Sequence, residues 1–98
     1  MKIQVSIEVR KAEQYGPGRW SIEFGPSSFV YDIQFICHSF DDLYAKLEAT
    51  AKSLAFEPRF ANWKGLEVSA RPTTPRKPAG WDNAKRQTVF RMEIIGNN

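Results

Sequence analysis

The sequence predicts a two-layer α+β domain, an antiparallel five-stranded sheet with one covering helix, in the order β-β-β-α-β-β. Three observations predict it. Polar and apolar residues alternate without a break from Lys2 to Arg10. Phe40, Leu43, Leu47, Ala51 and Leu54 then recur at helical spacing behind a serine, and two further alternating runs, 66–71 and 88–95, follow that helix. Five half-polar strands need one face covered, and only one helix is available to cover it.

In the first strand Ile3, Val5, Ile7 and Val9 point one way, and Lys2, Gln4, Ser6, Glu8 and Arg10 the other, the period-two signature of a half-buried strand. Tyr15-Gly16-Pro17-Gly18 is turn chemistry, because glycine supplies positive φ and proline sets its own φ near −65°. Trp20, Ile22 and Phe24 then share one face of a second strand. Gly25-Pro26-Ser27-Ser28 turns the chain into a third, from Phe29 to about His38. These three strands read as an antiparallel meander, with Trp20, Phe24, Tyr31 and Phe35 in its core.

Ser39 is the expected helix N-cap, and Asp42, three residues on, is a carboxylate variant of the capping box. Asp41 and Asp42 lie where the helix dipole favours negative charge. Glu57-Pro58 marks the stop, since proline disfavours the α conformation in the residue before it. Leu66, Val68 and Ala70 alternate with Glu67, Ser69 and Arg71 as a fourth strand. From Thr88, Phe90, Met92 and Ile94 alternate with Val89, Arg91, Glu93 and Ile95 as a fifth.

At 98 residues, 42% hydrophobic and 13% aromatic, the chain reads as a single domain spanning residues 1–98. Its single cysteine, Cys37, excludes an intrachain disulfide, and one cysteine with one histidine cannot close a structural zinc site. The alternating N-terminus lacks the apolar region of a secretory signal, and no run approaches the length of a membrane helix. A cytoplasmic protein without metal or cofactor is the expectation.

Nothing in the chain forms a catalytic constellation. Cys37 and His38 are adjacent, and neighbouring residues of an extended segment point to opposite faces, so they do not make a nucleophile–base pair. Asp41 and Asp42 diverge by about 100° on a helix and are explained by capping. The glycine-rich stretch at residues 15–19 leads into a strand, whereas phosphate-cradling loops open a helix. Three strands followed by the Phe40-Asp41-Asp42-Leu43 helix loosely resemble the small antitoxin domains of the HicB type and the three-stranded DNA-binding arms of some phage integrases. That likeness rests on strand order and a capped helix, and it assigns no functional residues.

Charge points elsewhere. Residues 1–57 hold six Lys/Arg against eight Asp/Glu, and residues 58–98 eight against three. The excess gathers in RPTTPRKPAGWDNAKRQ, Arg71 to Gln87, whose three prolines, five cations and Trp81 form a connection far longer than a tight hairpin needs. Pro72, Pro75 and Pro78 stiffen its outgoing limb, which reduces the ordering entropy lost on binding. The sequence therefore predicts a non-enzymatic binding module whose basic C-terminal half contacts nucleic acid through Lys64, Arg71, Arg76, Lys77, Lys85 and Arg86, with Trp81 stacking on a base or lying against sugar. The alternative is a regulator or inhibitor of phage or mobile-element type that binds an acidic protein face. A weaker one is a subunit of a homodimer formed through a free sheet edge.

Overall fold

A 15-residue strand, β1 (Lys2–Gly16), organises the sheet in the computed structural model, which describes residues 1–25, 28–73 and 88–94. It is followed by β2 (Arg19–Ile22), β3 (Phe29–Ile36), the helix α1 (Phe40–Leu54), a 3₁₀ turn (Pro58–Phe60), β4 (Gly65–Pro72) and β5 (Thr88–Glu93). The fold is thus one helix on a five-stranded, all-antiparallel open sheet, as the alternating runs predict.

The meander is corrected. β3 does not pair with β2; it pairs with β1, Lys2 opposite Ile36 through Val9 opposite Phe29. β2 takes the other half of the same strand, Ala12 opposite Ile22 through Gly16 opposite Arg19. Because β4 occupies the opposite edge of β1 from Val5 to Ala12, β2 and β3 lie end to end along a single edge. The cause is the length of β1, which outruns the alternation visible at residues 2–10 and offers room for two partners. Its end, Lys11–Gly16, lacks apolar alternation, and Ala12 is its one buried residue.

The core lies between the sheet and α1. Ile3, Val5, Ile7 and Val9 of β1 and Leu66, Val68 and Ala70 of β4 meet Leu43, Leu47, Ala51 and Leu54 of the helix, and all are buried. Removing each such Val, Leu or Ile side chain from water contributes about 1.5–3 kcal/mol. Tyr31, Ile33 and Phe35 of β3 border this core, and Tyr44 of the helix reaches Phe90 of β5, ring centroids 5.3 Å apart. Trp63 stacks on the fully buried Phe60 at 4.7 Å.

Trp20 and Phe24 are not in that core, contrary to the alternation reading. Pairing sets Trp20 opposite Gln14 and Ile22 opposite Ala12, so both point away from the helix with the even-numbered residues of β1. Phe24, just beyond β2, is 72% exposed.

Ser39 is the N-cap, with extended backbone and its Oγ accepting the Asp42 N–H at 3.3 Å. The capping box is shifted by one residue: the Asp42 carboxylate accepts from the N–H of His38 at 3.0 Å rather than from Ser39. That bond, and Lys46 one helical turn on, hold the Asp42 carboxyl below the ordinary aspartate range. Its stabilisation is therefore present above that range and lost as the pH falls through the lowered value. Ser39→Ala is expected to lower stability by about 1 kcal/mol through the lost cap, shifting the denaturation midpoint at constant slope. An unmoved midpoint would show that the cap contributes nothing.

Candidate nucleic-acid interface

The helix covers one face of the sheet. On the opposite face β1 presents Gln4, Ser6, Glu8 and Arg10, and β4 presents Glu67, Ser69 and Arg71, of which Ser6, Glu67 and Ser69 are buried. Arg71 stands opposite Ser6, which in turn stands opposite Asp32, beside a shallow hollow lined by Ser6, Glu8, Val30, Ser69 and Arg71. Sequence reasoning passed over Ser6, Glu8 and Ser69; the signal was the parity of β1, whose even positions are those that face away from the core.

The electrostatics of this face are mostly internal. Arg10 pairs with Glu8 at 2.7 Å and lies 5.0 Å from the centroid of the Phe24 ring, its buried Nε without a hydrogen-bond partner among the described residues. Arg91 pairs with the buried Glu67 at 2.9 Å. On the helix side Arg59 binds Glu57 at 2.6 Å and lies over both Phe29 and Phe60. Lys46 and Lys52 pair with Asp42 and Glu48 along α1. Burial lifts the Tyr31 phenol above its ordinary pKa, with Glu57 adding to the shift and Arg59 opposing it.

Lys64 does not join Arg71. It pairs with Glu13 at 3.0 Å, fifty-one positions away in sequence, on the rim of an open hollow of about 480 Å³ lined also by Lys11, Ser21, Glu23 and Asn62. Two lysines and two glutamates balance there. Lys64 precedes β4 and Arg71 nearly ends it, so at about 3.3 Å per residue they stand roughly 20 Å apart.

Of the chain's 14 Lys/Arg and 11 Asp/Glu, the segment 74–87 holds four and one, leaving ten of each in the rest. Six of those ten cations are in ion pairs; among the described residues Lys2, Lys11, Arg19 and Arg71 are not. Arg76, Lys77, Trp81, Lys85 and Arg86 lie outside the described residues. Their attachment is described: the Thr73 N–H donates to the Gln4 carbonyl at 2.9 Å, and Thr88 pairs with Ala70. The segment therefore departs from and returns to the end of the sheet where Arg71 stands.

Cys37 is fully buried and its N–H donates to the Met1 carbonyl, while His38 is exposed, so the two do not converge. Among the described residues no three His, Cys, Asp or Glu side chains gather as metal ligands, and no helix is long and apolar enough to cross a membrane. The chain matches no protein-family model, no curated protein and no solved structure.

Proposed function

We propose that this protein is a non-enzymatic binding module that holds a nucleic-acid backbone on segment 74–87, with Arg71 as the nearest cation of the sheet. One observation carries the reading: the whole net charge of +3 belongs to those fourteen residues, while the remainder of the chain is neutral and largely paired with itself. Cations already bonded to carboxylates gain little from a phosphate, whereas Arg76, Lys77, Lys85 and Arg86 outnumber the one carboxylate in the sequence of their segment, Asp82. Trp81 adds a stacking surface suited to unpaired bases. Lys64, balanced by Glu13 and far from Arg71, contributes least.

The test is a salt titration of binding to duplex and single-stranded oligonucleotides. Arg76→Ala with Lys77→Ala is expected to flatten the log–log salt dependence on duplex DNA by up to about 1.8, at roughly 0.9 for each lost phosphate contact. Trp81→Ala should weaken single-strand binding by about 1–3 kcal/mol and leave the slope nearly unchanged. If neither variant alters binding to any nucleic acid while an acidic protein partner still captures the wild type, the regulator reading replaces this one.

A further inference from the structure

β3 is the longest strand on an edge of the sheet and the least protected. Its sequence, FVYDIQFI, carries one charge, Asp32, with no lysine or proline, the residues that usually keep an edge from pairing. β5 at the other edge carries Arg91 and Glu93, and β2 has only four residues. Among the described residues β3 pairs with β1 alone. Val30 and Ile36 are 61% and 62% exposed, although both are aliphatic.

The hydrogen-bond phase of this edge is set. The Cys37 N–H donates to the Met1 carbonyl at 2.9 Å, so by antiparallel alternation Tyr31, Ile33 and Phe35 direct their backbone groups at β1. Val30, Asp32, Gln34 and Ile36 direct theirs outward. The Ile36 carbonyl takes a bond from the Lys46 ammonium, which occupies one of its two lone pairs at the outer end of the edge and leaves the middle open.

We propose that a second copy of this chain pairs with β3 antiparallel about a two-fold axis at Ile33, joining two sheets into one. This register sets Val30 opposite Ile36 and Asp32 opposite Gln34 as hydrogen-bonded pairs, with Tyr31 opposite Phe35 and Ile33 opposite itself between them. Exposed aliphatics meet aliphatics, an aromatic meets an aromatic, and the carboxylate meets an amide donor. Of the neighbouring two-folds that keep the same hydrogen-bond phase, one at Asp32 sets two carboxylates face to face and one at Gln34 sets Asp32 against Ile36, so complementarity selects Ile33. An isologous contact of this kind closes as a dimer. It uses no residue of segment 74–87, and its test is separate from that of nucleic-acid binding.

Sedimentation equilibrium of the full chain tests it. The wild type is expected at twice 11.2 kDa. Gln34→Pro, which removes an outward N–H, and Val30→Lys with Ile36→Lys, which sets ammonium groups opposite each other, should each return the mass to 11.2 kDa with an unchanged circular dichroism spectrum. Under oxidation Ile33→Cys should form a covalent dimer, and Gln34→Cys, which faces Asp32, should not. A wild type that is monomeric at every concentration overturns the proposal, as does a dimer that survives both edge variants, or cross-linking through Gln34→Cys but not Ile33→Cys. Should Gln34→Pro fail to fold, the two lysines at exposed positions decide.

Discussion

Phe60→Ala is expected to remove a large share of this protein's stability. The side chain is fully buried, and three partners close on its ring: Trp63 at 4.7 Å, Phe29 edge-on at 5.3 Å, and the Arg59 guanidinium at 4.8 Å. Truncating a buried phenylalanine costs about 3–5 kcal/mol, and a domain of this size has only about 5–15 kcal/mol in total. The loss extends beyond one side chain, because Phe60 ends the 3₁₀ turn that brings the chain from α1 back to β4. Phe56, four residues earlier and 70% exposed, is the control: Phe56→Ala should change stability by no more than about 0.5 kcal/mol. Chemical denaturation of both variants measures the difference. If the two curves coincide, Phe60 does not anchor the core.

Gly65→Ala should cost about 1–3 kcal/mol, the usual range for overpacking, and Gly65→Val more. A Cβ at this position would stand 2.9 Å from the Met92 carbonyl oxygen, 3.0 Å from that of Ala12 and 3.0 Å from Cζ3 of Trp20. The glycine is required for space. β4 runs between β1 and β5, and Trp20 lies against it on the face opposite the helix. The two carbonyls belong to backbones held in the ladder and cannot withdraw, whereas the indole can turn. A double-mutant cycle with Trp20→Ala should therefore recover only part of the loss. Full recovery would place all the crowding on the indole, and a neutral Gly65→Ala would show that the strands separate without cost.

Much of the architecture is legible along the chain because it depends on local chemistry. Ser39 caps α1 because a short hydroxyl can reach the orphan N–H of the first turn, and that is visible from its spacing to Asp42. Leu43, Leu47, Ala51 and Leu54 share one face because the helical repeat places them there. Ile3, Val5, Ile7 and Val9, and likewise Leu66, Val68 and Ala70, face the core because strands alternate. The concentration of charge in residues 74–87 needs no coordinates at all.

Pairing is a different matter. Alternation says which residues of a strand share a face, but not which edge that strand joins, since every partner offers the same backbone groups. Thus β3 lies beside β1 and not β2. Trp20 and Phe24 alternate as a buried strand would, yet Trp20 points away from the helix because its partner in β1, Gln14, is even-numbered, and Phe24 lies beyond β2 and is exposed. Lys64 looks like one more cation of a basic half until the fold carries Glu13 to within 3.0 Å of it. The sequence by itself determined the helix, its cap, the apolar faces and the charged segment, all of which rest on spacings of a few residues. Only the tertiary structure decided the partner of β3, the side on which Trp20 and Phe24 lie and the neutralisation of Lys64, because each depends on contacts between residues distant in the chain.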